Sequence, residues 1–299
     1  MHEEIERAIL HTLIYSDIFD YPLSKDELWR FLIGRVDRAS FEEVLTEFPL
    51  AKWEHKSGLY FLSGREGTVG KRIKRKETSR KKLEIAKKII ERFSFLPTIQ
   101  FIGISGALSL GNATKEDDID LFVIASKNRL WLTRLSIIIF LLLIGSYRKR
   151  NDQEVSDKIC LNMLIDESAL SFSKARQNLY TAHEVVQMIP AFDRNDMYKK
   201  FMSKNKWISK FLPNSLDTKI LGYKDIKRKE VRSLSIPISK YLNIFLIFFE
   251  NLAKHIQLWS IKKHVTTETV KDNFLGFHPL DYKEKVLSEY KRKLREYEI

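Results

Sequence analysis

The chain has 299 residues, 44% hydrophobic and 30% charged, which excludes extensive disorder and leaves enough apolar side chain for two domains. Lys and Arg outnumber Asp and Glu by 52 to 39, and the net charge of +13 favours anionic partners such as nucleotide, RNA, DNA or acidic lipid without choosing among them. The single cysteine, Cys160, excludes an internal disulfide, fits a reducing compartment, and sits in an apolar run that suits core packing better than nucleophilic work.

The opening MHEEIERAIL is acidic and amphipathic and has no apolar leader core. The apolar runs at 135–145 and 241–249 fall short of the ~20 residues a spanning helix needs. The expectation is a cytoplasmic protein with no transmembrane segment.

Ile5, Ala8, Ile9 and Leu13 recur at helical spacing. Ser24 followed by Glu27 predicts a capping box that opens a second helix through Leu28 and Trp29, and Ser40 to Glu43 predicts another before Val44 and Leu45. Two short runs, 51–54 and 59–62, separated by His55-Lys56-Ser57-Gly58, predict a β-hairpin. Asp17 and Asp20, in the loop at 16–23, read as turn or cap residues. Three helices and a hairpin in this order resemble a winged-helix domain, here over 1–66. The resemblance implies DNA contact through the third helix, but Glu42, Glu43 and Glu47 there suit a structural or protein-binding role better.

Between 71 and 92 there are eleven basic and three acidic residues, with Ile73, Leu83, Ala86, Ile89, Ile90 and Phe93 near helical spacing. A long basic linker helix over 67–97 is predicted, either as a solvated face or as an electrostatic surface beside a site.

The stretch 101–125 carries the chemistry. An apolar strand, Phe101 to Ile104, leads into a small-residue turn containing Ser105, Gly106, Ala107, Ser109, Gly111 and Asn112. An acidic knot follows, Asp117-Asp118-Ile119-Asp120, running into a second apolar strand. Strand alternation puts Asp118 and Asp120 on one face. Neighbouring carboxylates repel unless a cation lies between them, and a hard divalent ion suits oxygen ligands. The glycine turn can bring backbone N–H groups to a phosphate.

This pattern resembles the DNA polymerase beta-like nucleotidyltransferase superfamily, whose signature is Gly-Ser-x-x-x-Gly followed by Ser-Asp-x-Asp. Gly106 and Gly111 match the two glycines, and Asp118 and Asp120 match the metal-binding acidic pair. Ala107 replaces the phosphate-contacting serine, a role open to Ser105 or Ser109, and Asp117 replaces the serine before the acids. The resemblance covers 99–166. It implies Mg²⁺ or Mn²⁺ on Asp118 and Asp120, an NTP held by Ser105, Gly106, Ser109, Gly111 and Asn112, and a third carboxylate on the next strand. In that strand, Ile159 to Ile165, alternation puts Cys160, Asn162, Leu164 and Asp166 on one face. Asn162 is mid-strand but neutral, so Asp166 is the candidate catalytic carboxylate alongside Asp118 and Asp120.

An apolar helix from Asn128 through Leu143 is predicted between these strands, buried on more than one side. Beyond Glu167 the reading is helical. Tyr180, His183, Glu184 and Gln187 share a helix side that lines either a pocket or a bundle interior, and Gln187 removes the second zinc ligand of an H-E-x-x-H pattern. A basic helix spans 199–211, and an aromatic stripe containing Phe245, Phe248 and Trp259 suits core or an oligomer interface. His278 is a packing or capping residue, and a charged helix ends the chain.

The fold expectation is α+β: a winged-helix-like domain at 1–66, the linker helix at 67–97, a small mixed-sheet nucleotidyltransferase core at 98–168, and a C-terminal helical region at 169–299. The activity expectation is metal-dependent transfer of NMP from an NTP to an acceptor hydroxyl on RNA, protein or a small molecule, with a homodimer as an option. Two alternatives stay open. One is a catalytically inactive relative that binds nucleotide or nucleic acid as a regulator. The other is a winged-helix DNA-binding protein whose second domain dimerises.

Overall fold

The computed structural model describes residues 2–47, 52–149, 152–216, 240–262, 269–277 and 280–298. Three helices, α1 (His2–Asp17), α2 (Lys25–Arg30) and α3 (Arg38–Glu47), pack with a small antiparallel sheet of β1 (Leu23–Ser24), β2 (Trp53–Lys56) and β3 (Leu59–Leu62), in the order β1-β3-β2. The capping box forms as expected: Ser24 accepts from the Glu27 N–H while the Glu27 carboxylate accepts from the Ser24 N–H. The second box does not form. α3 begins earlier, and Asp37 accepts from the Ser40 N–H at 2.9 Å, because its carboxylate precedes the helix where Ser40 lies inside it. The β2–β3 turn places Ser57 and Gly58 both at positive φ, 54° and 76°, the conformation that a two-residue hairpin loop requires.

The basic segment is one helix, α4 (Gly67–Phe93). It leads into a mixed sheet of order β7-β4-β5-β6-β9-β8. β4 (Ile99–Ile104) runs antiparallel to β5 (Ile119–Ala125), and β5 runs parallel to β6 (Ile159–Asp166). The four-residue α5 (Gly106–Ser109) lies between β4 and β5, and α6 (Leu130–Leu143) supplies the β5–β6 crossover. The class is therefore α+β with a mixed sheet.

The region beyond 168 is not purely helical. α7 (Leu179–Gln187) is followed by β7 (Ile189–Asp193), which pairs with β4, and β8 (Thr269–Lys271) and β9 (Phe274–Gly276) extend the sheet past β6. α8 (Met197–Lys204), α9 (Lys240–Lys262) and α10 (Leu280–Glu296) complete the described elements.

The sheet divides the interior. One face carries Ile102, Ile104, Leu121, Val123 and Leu164 against Ile90, Phe93, Trp131 and Ile137 of α4 and α6. The other carries Phe101, Phe122, Ile124 and Ile165, and its core runs without a break into Ile9, Leu13, Phe41 and Trp53 of the N-terminal elements. The N-terminal elements thus share a core with the sheet. α6 is only partly covered: Ile139, Leu142 and Leu143 are exposed. The aromatic stripe of α9 is likewise not core, since Phe245, Phe248 and Trp259 are exposed. Among the described residues no helix is long and apolar enough to cross a membrane. His278 lies outside the described residues.

Candidate active site

Asp118 immediately precedes β5 and Asp120 is its second residue. Their carboxylates and the Cys160 thiol on β6 offer ligand atoms that all lie within 4.8 Å of one another, each side chain partly exposed. Cross-strand register brings the cysteine in, for Asp120 and Cys160 are paired residues of β5 and β6.

The glycine turn closes on the same point. Ser105 N–H donates to the Asp120 carbonyl at 2.9 Å, continuing the ladder past the end of β4. Gly106 follows at φ +64°, and a Cβ there would stand 2.5 Å from Asp120 Oδ2, so the carboxylate occupies space that only glycine leaves open.

The surrounding chain clamps this arrangement. Lys82 of α4, 3% exposed, donates to the carbonyls of Lys115 and Asp117 and to Asp157 Oδ1, at 2.9, 2.7 and 2.8 Å. Ser79 accepts from the Ala113 N–H. Asn112 donates to the Phe19 carbonyl at 2.9 Å and accepts from Arg75, while Asp17 and Asp20 bind Arg65 at 2.6 Å each. Lys71, Arg75 and Lys82 of the basic segment therefore tie the N-terminal loop and the acidic knot to α4, and Arg65 just before it holds Asp17 and Asp20.

Of the expected phosphate-binding residues, Gly106 lines the cleft beside Asp120 and Asn112 also borders it. The side chains are otherwise engaged. Ser105 is buried and directed at the Asp120 carbonyl, the Ser109 hydroxyl donates to the Gly106 carbonyl at 2.8 Å, and Asn112 spends its amide on the Phe19 and Arg75 contacts. Gly111, at φ +69°, allows the turn to close.

Asp166 is not brought to the pair. It pairs with Ala125, five positions along β5 from Asp120, roughly 17 Å away at the usual strand rise. There its carboxylate accepts from the Asn128 and Ser168 N–H groups at 2.9 and 2.8 Å, a loop-capping role. The register also shifts along the strand: Leu121 pairs with Leu161 but Phe122 pairs with Met163, which leaves Asn162 as a bulge and sets Asp166 opposite Ala125. The bulge reverses alternation, so Met163 and Ile165 share the face of Cys160, and Leu164 joins the opposite core.

Arg148 completes the cluster. Its Nη1 donates to Asp118 Oδ2 at 2.6 Å and lies 3.5 Å from Cys160 Sγ. Burial pulls the Arg148 guanidinium down, but Asp118, Cys160 and Asp120 outweigh it and leave its pKa raised. Burial, then Asp120 and Asp118, push the Cys160 thiol well above its ordinary range, so it stands protonated beside the acids.

These residues line a cleft of about 800 Å³. α7 forms the facing wall with Tyr180, Glu184 and Gln187, whereas His183 turns into the core, 2% exposed and stacked on Tyr15 with ring centroids 4.1 Å apart. Burial first, then the Glu184 charge, push the Tyr180 hydroxyl upward, keeping it a neutral donor. Tyr147, Arg134 and Phe277 border the cleft near β6. Sequence reasoning missed Cys160, Arg148 and Arg134 as site residues. Alternation, which put Cys160 on the strand face expected to carry a third acid, was the signal for the cysteine; the arginines carried none.

The two carboxylates suit a hard divalent cation, which needs only one or two carboxylates when substrate oxygens fill the remaining positions, whereas the protonated Cys160 thiol adds no ligand for such an ion. Comparisons with protein-family models, curated proteins and solved structures return no match for this chain.

Proposed function

We propose that the chain is a metal-dependent nucleotidyltransferase that transfers NMP from an NTP to an acceptor hydroxyl on RNA, protein or a small molecule. The observation that carries this reading is the convergence of Asp118 and Asp120 with the Gly106 turn, whose missing Cβ makes room for the Asp120 carboxylate. Strand order adds support, since β4 antiparallel to β5 and β5 parallel to β6 puts the turn and the acids at one sheet end.

On this reading Asp118 and Asp120 hold Mg²⁺ or Mn²⁺, which when bound neutralises charge on the triphosphate and the departing pyrophosphate. Backbone N–H groups of the Gly106 turn approach the phosphates, in place of the side chains of Ser105, Ser109 and Asn112. Glu184, on the facing wall, replaces Asp166 as the carboxylate that receives the acceptor proton. The α6–α9 apolar surface supports a homodimer.

A second reading is a nucleotide- or nucleic-acid-binding protein without turnover. Cys160, where a third acid would stand beside Asp120, favours it, as does Arg148 already bonded to Asp118. The two are separated by Mg²⁺-dependent pyrophosphate release measured with each of the four NTPs. Release by the wild type, abolished in Asp118→Ala/Asp120→Ala with circular dichroism unchanged, supports the enzyme. Release that persists in the double variant refutes it, and saturable NTP binding without release supports the second reading.

A further inference from the structure

At the end of the cleft near Phe277, Arg134 of α6 is 9% exposed, and its Nε is buried with no hydrogen-bond partner. Its Nη1 donates to Gln257 Oε1 at 2.6 Å. Gln257 spends its own NH₂ group on the carbonyls of Trp131 and Ala253, at 2.8 and 2.9 Å, which fixes its oxygen toward the arginine. The guanidinium also lies over the Phe277 ring, 4.7 Å from the centroid. Every one of these partners is uncharged, and among the described residues no carboxylate forms an ion pair with Arg134. A guanidinium removed from water normally has a paired anion, because burying an isolated charge is costly. Here it is aligned by neutral groups and has no ion pair, in a cleft whose lining also includes Lys149, the Arg148–Asp118 pair and the carboxylates of Asp117, Asp120 and Glu184.

We infer that the Arg134 end of the cleft is an oxyanion-binding subsite, taking a phosphate or carboxylate group of a ligand that lies along the cleft. The subsite is independent of nucleotidyl transfer, since it needs neither the cation nor turnover. An oxyanion there accepts from the guanidinium, supplies the missing countercharge, and offers a pair of oxygens that arginine's planar fork matches better than lysine.

The test uses the full chain freed of divalent cations over a chelating resin, so that neither a cation nor a soluble chelator contributes, with inorganic pyrophosphate and malonate as probes in calorimetric titrations. Saturable binding of at least one probe is expected, the tighter one identifying phosphate or carboxylate as the favoured group. Arg134→Met should weaken it at least tenfold. Arg134→Lys should retain part of it, and Lys88→Met, which removes an exposed charge from α4, should leave it unchanged. Arg134→Lys serves alone if the methionine variant fails to fold, and in the wild type the Arg134 Nε–H resonance should move on titration. Absence of saturable binding to both probes would overturn the subsite. So would affinity in Arg134→Met or Arg134→Lys equal to wild type, or an Nε–H resonance that stays fixed while a probe binds.

Discussion

Arg148 bonds the carboxylate that a cation would need: its Nη1 lies 2.6 Å from Asp118 Oδ2, with the arginine side chain 38% exposed and the aspartate 15%. A half-open ion pair of this kind is worth about 1 kcal/mol or less. On the proposed reading, divalent cation and guanidinium compete for Asp118. Arg148→Gln should therefore tighten Mn²⁺ binding about three- to fivefold, read by electron paramagnetic resonance titration. Unchanged Mn²⁺ affinity would show that the arginine does not compete.

Gly106→Ala meets two obstacles. The backbone sits at φ +64°, and the new methyl would fall 2.5 Å from Asp120 Oδ2. The left-handed conformation alone costs a non-glycine residue about 1–2 kcal/mol, and the carboxylate must also move. We expect a loss of roughly 2 kcal/mol in urea unfolding together with weakened Mn²⁺ binding. Gly58→Ala, at φ +76° in open space, should cost stability without touching cation affinity.

Lys82 provides a third test. Its ammonium serves two carbonyls and Asp157 while 3% exposed, although Asp157 itself is 43% exposed and therefore partly solvated. Replacement by methionine keeps the stem but removes a charged donor from both carbonyls, leaving Lys115 only the Ser156 hydroxyl at 2.6 Å and Asp117 only the Asp157 N–H at 3.4 Å. A destabilisation of about 2–3 kcal/mol is expected, below the full cost of breaking a wholly buried pair. Equal stability of Lys82→Met and wild type in denaturant titrations would contradict this assignment.

His183 makes stability depend on pH. Burial pulls its imidazole down from 6.5 to about 3, so the folded chain keeps it neutral where the unfolded chain binds a proton. Its contribution is fully present above pH 6.5 and is lost as pH falls toward about 3. The slope is about 1.4 kcal/mol per pH unit, or roughly 2 kcal/mol between pH 6.5 and 5. His183→Gln should flatten the stability profile over that range. Parallel profiles for the two proteins would rule the histidine out as the source.

The elements legible in the amino-acid order are those set by short-range physics. The Ser24–Glu27 capping box, the Ser57-Gly58 hairpin turn, the amphipathic period of α4 and the alternation that puts Asp118 and Asp120 on one face all depend on neighbours a few residues apart. The turn-and-acid pattern was likewise visible, with Gly106 set against Asp120.

The rest required distant chain to meet. β8 and β9 are three-residue strands, and β7 carries Pro190 at the sheet edge, so none has enough alternation to announce itself. The bulge at Asn162 exists only against β5, yet it reverses which β6 side chains face the acids. Cys160 joins Asp120 through cross-strand register, Asp166 leaves the site because strand rise carries it to the other end, and Arg134 lines the cleft only because Gln257 and Phe277, more than a hundred residues later, hold it there. Local periodicity specifies helices, strands and the face each residue takes; which faces meet depends on pairing and packing between segments that no local pattern encodes.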